Sequence, residues 1–126
     1  MVTAGPPLNV DELCKVMGAA FALTYVSYFE GFGIPLIEAM QCDVPVITAN
    51  VTSMPEVAGD AALLVDPMSV DDIAKAMTDV LRNESLRQKL VEKGRVRREF
   101  FSWDKTASLT WDAILTSANE CRSKRT

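Results

Sequence analysis

The chain has 126 residues, 48% hydrophobic and 24% charged, with 17 acidic and 13 basic side chains giving a net charge of −4. That length carries one domain with a buried core, and the acidic balance argues against general nucleic-acid binding. There is no histidine, which excludes Ser-His-Asp and Cys-His nucleophilic schemes and histidine metal sites, and no apolar run approaches the roughly 18 residues of a membrane span.

Residues 1–8, with Gly5-Pro6-Pro7, form a loose start without the basic and apolar regions of a secretory leader. Asn9-Val10-Asp11-Glu12 has the pattern of a capping box. The helix it opens runs to about Gly18, with Val10, Leu13, Cys14 and Met17 on one face. Cys14 is expected in the core there. Phe21 to Val26 is a short apolar run with β-branched and aromatic members, the pattern of a buried strand.

The chain then turns through Glu30-Gly31-Phe32-Gly33-Ile34-Pro35-Leu36-Ile37-Glu38-Ala39-Met40. Pro35 suits the first helical position, with its fixed φ and no N–H to leave unpaired. A strand, a glycine turn and a helix N-terminus place free backbone N–H groups and a positive dipole end beside the sheet, an anion-binding arrangement. Glu30 and Glu38 bracket it, eight residues apart. On one continuous helix they would be separated by about 12 Å of rise, and the glycines argue against such a helix. Glu30 is expected at the strand's C-terminal end and Glu38 in the first helical turn. A carboxylate accepts hydrogen bonds from both hydroxyls of a diol. Two of them around an anion site suit a nucleotide-sugar: hexose, diphosphate, ribose. A glycosidase using the same pair would need the carboxylates about 5–9.5 Å apart across one bond, and no second motif supports it.

Gln41-Cys42-Asp43 ends this helix, with Cys42 a packing residue. Val44-Pro45-Val46-Ile47-Thr48 is a second strand with Pro45 near its start. Asn50 to Met54 is a polar loop, Pro55-Glu56-Val57 a short helical turn, Gly59-Asp60 a tight turn, and Ala62 to Val65 a third strand. Glu56 favours its own helix dipole. Ser69 caps a helix in which Ile73, Met77, Val80 and Leu81 face the core, and Asn83 ends it. Leu86, Leu90 and Val91 mark the next helix, towards Phe100. Its Arg95, Arg97 and Arg98 suit a solvated face better than a phosphate site. Ser102 caps a last helix with Trp103, Ala107, Trp111, Ile114 and Leu115 on one face, and residues 119–126 form a polar tail that frays. Cys14, Cys42 and Cys121 are odd in number and widely spaced; they suit a reducing compartment, and the expected location is cytoplasmic.

Strands joined through helices imply a parallel sheet with right-handed crossovers. The expected fold class is α/β: a partial, Rossmann-like doubly wound parallel sheet of about three strands with flanking helices, as residues 1–118. Ligands of such sheets sit beyond the strand C-termini, where the Glu30 turn lies.

The stretch Glu30 to Met40 resembles the E-x7-E signature of retaining glycosyltransferases of the GT-B fold, in the family-four group. The resemblance continues through Pro45 to Thr48, Pro55 to Pro67, and Phe101-Ser102-Trp103. It departs at Val26, where the family usually has proline. It implies the donor-binding C-terminal part of such an enzyme, which takes a UDP- or GDP-sugar, retains anomeric configuration and usually needs no metal or other cofactor. It implies Glu30 as the catalytic-site group on hydroxyls of the transferred sugar. Gly31, Phe32, Gly33, Ile34 and Leu36 would approach sugar and phosphate, Glu38 would hold the ribose, and Glu56 would support the nearby loop. The family's phosphate-binding Arg and Lys and its acceptor-carrying Rossmann-like half lie upstream of the matched segment. The chain is therefore expected to need that half, or to self-associate along its first strand. The alternative is a non-catalytic nucleotide-sugar or protein-binding module on the same fold.

Overall fold

The computed structural model describes residues 7–123, with side chains for residues 7–120. The expected loose start up to residue 6, the Cys121 side chain and residues 124–126 of the tail lie outside that description. The elements in order are α1 (Val10–Ala19), β1 (Leu23–Tyr25), α2 (Ile34–Gln41), β2 (Val46–Ala49), α3 (Met54–Ala58), β3 (Ala62–Val65), α4 (Val70–Arg82), α5 (Glu84–Arg98) and α6 (Trp103–Ser123). The three strands form one parallel sheet in the order β1-β2-β3. Tyr25 stands opposite Thr48, and Thr48 opposite Leu64. The α/β fold of three parallel strands with flanking helices is the one expected, and β1 is a sheet edge.

β1 is shorter than the predicted 21–26 run. Its ladder opens where the Leu23 N–H donates to the Pro45 carbonyl, 2.9 Å away. Phe21 stays outside, half exposed, with the Arg87 guanidinium 4.6 Å over its ring. Every residue of β2 is buried, as a central strand covered on both faces must be. Leu36, Met40, Val46 and Met54 fill one side of the core, and Ile47, Val80 and Leu90 the other. Each such side chain contributes about 1.5–3 kcal/mol on leaving water.

The capping box at α1 is present: the Glu12 N–H donates to Asn9 Oδ1 and the Asn9 N–H to Glu12 Oε2, both at 2.9 Å. The helix itself buries no residue, and Cys14 is exposed rather than in the core. Only the C-terminal end of α1, through Met17, reaches the packed interior. On α4 the buried stripe runs Ile73-Ala76-Val80. That rotation leaves Met77 and Leu81, expected in the core, 50% and 64% exposed. Asn83 ends α4 and caps α5, accepting the Leu86 N–H at 2.9 Å. The expected face of α6 exists, but Trp103, Trp111, Ile114 and Leu115 on it are exposed. No helix among the described residues is long and apolar enough to cross a membrane.

The arginines of α5 are not a solvated row. A helix ends with carbonyls that have no partner in their own helix, and cations suit that end. Arg87 donates to the carbonyls of Val80 and Leu81, closing α4. Arg97 donates to those of Glu56 and Val57, closing α3. Arg98 donates to those of Met40 and Gln41, closing α2. Arg95 instead grips the Asp43 carboxylate through two bonds of 3.0 and 2.7 Å. Of the three arginines read as a charged face, Arg97 and Arg98 reach neighbouring helix ends and Arg95 reaches an aspartate.

Candidate functional site

Beyond the C-terminal ends of β1 and β2 two loops meet. One is the Glu30 turn; the other is the residue 50–53 segment between β2 and α3. Gly33 caps α2 at φ 99° with no side-chain hydrogen bond, and Pro35 follows in the first turn. A Cβ at Gly33 would lie 3.0 Å from Met54 Sδ as well as in the left-handed region. The helix N-terminus thus has no side-chain cap, and the positive end of its dipole is left to the backbone there. Gly31, Phe32 and Ile34 are exposed, and Leu36 is fully buried under the turn. Leu36 therefore meets a ligand only through its backbone, and its N–H already donates to the Gly33 carbonyl at 3.1 Å.

Glu30 is half buried in the loop after β1, which ends at Tyr25, rather than at the strand's end. Its Oε1 accepts the Tyr25 hydroxyl at 2.6 Å, the short length of an O–H donated to a charged oxygen. That bond raises the tyrosine pKa above its ordinary value, with desolvation adding to it. Glu38 is half buried on α2 but in the second turn, not the first, because helical geometry begins at Ile34 rather than Pro35. The two carboxylates therefore belong to different elements, with the glycine turn and the start of α2 between them. Glu56 is exposed in the first turn of α3, and its carbonyl accepts from Arg97.

The residue 50–53 loop fastens this turn. The Ser53 hydroxyl lies 3.0 Å from both the Glu30 and Phe32 carbonyls, to which it donates. The Glu30 N–H donates to Thr52 Oγ1 at 3.3 Å. Thr48, fully buried, donates its hydroxyl to the Tyr25 carbonyl at 2.8 Å and fixes the end of β1. On the outer side, Phe32 meets Phe101 edge to face, with ring centroids 5.8 Å apart. The Arg97 guanidinium lies 5.2 Å from the Phe101 ring centre. Tyr25, Thr52 and Ser53 did not stand out in the sequence. A polar loop following a parallel strand was the available signal, because consecutive strand C-termini place such loops side by side. Two open grooves of about 420 and 400 Å³ flank α5 elsewhere. They are lined mainly by α5 and by residues that precede β2 or β3, such as Pro45 and Asp60. Their volume does not make them the site, because neither is lined by the glycine turn or either bracketing glutamate.

Residues 2–97, which include the Glu30 turn and the residue 50–53 loop, match the family of glycosyl transferases group 1. The chain belongs to that family. It is similar to the O-antigen chain mannosyltransferase B of Escherichia coli, 41% identical over 103 residues that are 82% of this chain and 27% of the relative. It is similar to the D-inositol 3-phosphate glycosyltransferase of Rhodococcus opacus (strain B4), 35% identical over 92% of this chain and 26% of the relative. Among solved structures, this group 1 chain aligns with WaaG, a glycosyltransferase involved in lipopolysaccharide biosynthesis, at TM-score 0.67 and 25% identity. The alignment covers 80% of this chain and 29% of WaaG. Sucrose-phosphate synthase from Thermosynechococcus elongatus aligns at TM-score 0.63 and 27% identity, over 75% of this chain and 26% of that one. The chain spans about a quarter of the length of these relatives.

Proposed function

We propose that the surface formed by the Glu30 turn and the residue 50–53 loop binds a nucleoside diphosphate sugar, and that the whole protein transfers the sugar with retention of configuration. The observation that carries this reading is the side-chain-free cap of α2 at Gly33, flanked by Glu30 in the loop after β1 and Glu38 on the helix. The diphosphate sits on the helix N-terminus. Glu30 accepts hydroxyls of the transferred sugar, and Glu38 accepts the ribose diol. The relatives named as mannosyltransferases favour a mannose-bearing donor such as GDP-mannose. The acceptor is carried by a Rossmann-like half that packs on this one, and the open β1 edge is where further strands, or a second copy, pair. The reducing setting suggested by the unpaired Cys14 and Cys42 supports a cytoplasmic location.

The two glutamates separate by experiment. Glu38→Gln keeps the shape but loses a charge-assisted acceptor. It should weaken GDP binding about tenfold, the effect of roughly 1.4 kcal/mol. Glu30→Gln should leave GDP binding unchanged and weaken only GDP-mannose. Calorimetric titration of the chain with both ligands measures this. Equal losses of GDP affinity in the two variants would contradict the division of labour.

A further inference from the structure

Thr52 sits at φ 54°. A β-branched residue in the left-handed region is a backbone outlier, and it falls where Thr52 and its neighbour Ser53 touch the Glu30 turn. Their contacts are with the Glu30 backbone: the N–H through Thr52 and the carbonyl through Ser53, which also holds the Phe32 carbonyl. Tyr25 then holds the Glu30 side chain through Oε1. Glu30 is thus fixed at its N–H, its carbonyl and one carboxylate oxygen by three residues from two other segments. Tyr25 is itself tied, through its carbonyl, to the buried Thr48 of the central strand. A loop glutamate serving only solubility needs none of these bonds. A glutamate whose second oxygen must meet a ligand hydroxyl needs all of them, because a carboxylate pre-set in its bound rotamer loses less entropy on binding.

We propose that Tyr25, Thr52 and Ser53 form a positioning clasp that sets the Glu30 carboxylate for the sugar of the donor. The Tyr25 hydroxyl occupies Oε1 and leaves Oε2 to accept a sugar hydroxyl. The clasp acts on the sugar and not on the nucleotide, which separates it from residues that merely keep the domain folded. The proposal rests on the assignment of Glu30 to the transferred sugar.

The test compares GDP with GDP-mannose on the same chain. The ratio of their affinities isolates the sugar, and general damage to the fold lowers both affinities together. Tyr25→Phe removes one hydroxyl from the ring. It should leave GDP affinity unchanged and cut the ratio about tenfold, the scale of a hydrogen bond to a charged acceptor. Ser53→Ala should cut the ratio in the same direction, and Ser53→Thr, which keeps the hydroxyl, should restore it. The Tyr25 ring, followed by carbon NMR, should titrate nearer its ordinary range in Glu30→Gln, since the Glu30 bond is the leading cause of its raised pKa. If Glu30→Gln lowers the ratio while Tyr25→Phe and Ser53→Ala leave it unchanged, the clasp is overturned and the role of Glu30 stands. If Glu30→Gln also leaves the ratio unchanged, the assignment of Glu30 fails and the clasp fails with it.

Discussion

At Asp43 the backbone enters the left-handed region, φ 58°, directly after α2 ends. Aspartate tolerates that region better than most residues, and its carboxylate is then held by the Arg95 fork, with Arg98 3.3 Å from Oδ1. The Arg95 hydrogen bond is the leading cause that holds the Asp43 carboxyl below the usual aspartate range. A folded-state pKa below the unfolded value of about 3.9 gives stability that is fully present above that value. It is lost as pH falls through the lowered one. The pair is partly exposed, 40% at Asp43 and 55% at Arg95, so the contribution is at most about 1 kcal/mol. Asp43→Asn keeps the tolerance for positive φ and loses the ion pair. Urea unfolding should show it less stable than the parent by up to about 1 kcal/mol near pH 7, with the gap closing in acid as the pH falls below the usual aspartate range. No gap at any pH would place the role of Asp43 in its backbone alone.

The elements depend on α5 more than its composition suggests. Arg87, Arg97 and Arg98 close α4, α3 and α2. Gly94 lets α2 approach so closely that a Cβ there would lie 3.2 Å from Met40 Cγ. Arg97 also bridges two regions, since it caps α3 and stacks on Phe101, which meets Phe32 of the glycine turn. Arg97→Lys keeps the charge but loses the planar fork that reaches two carbonyls at once. It should destabilise the chain by about 1–2 kcal/mol in thermal or urea unfolding, on the scale of hydrogen bonds from a charged donor. An unchanged midpoint would show that charge alone suffices. The strands, the Asn9, Ser69 and Ser102 caps and the Gly33 turn were legible because each depends on neighbours within a few residues. The arginine caps were not, because each partner lies on another helix, up to 58 residues away for Arg98 and Met40. Met77 and Leu81 have the right helical periodicity but lie on a rotation that the packing leaves outside, and Cys14 lies on a helix that buries no residue. Within the site, Glu30, the glycines and Glu38 announced themselves by spacing. Tyr25, Thr52 and Ser53 act through contacts that only the assembled sheet creates.

For the whole molecule, the parallel order β1-β2-β3 places the loops after β1 and β2 side by side, so segments 22 residues apart meet at Glu30 and Thr52. The two grooves beside α5 offer the competing location. Titrating GDP-mannose into the isotope-labelled chain and following backbone amide shifts distinguishes them most directly. The account predicts saturable shifts at residues 30–34 and 36–38, spreading to Thr52 and Ser53, with Asp60, Lys93 and Arg87 unmoved. Shifts confined to the α5 grooves, or no saturable shift at Glu30 to Glu38, would contradict it.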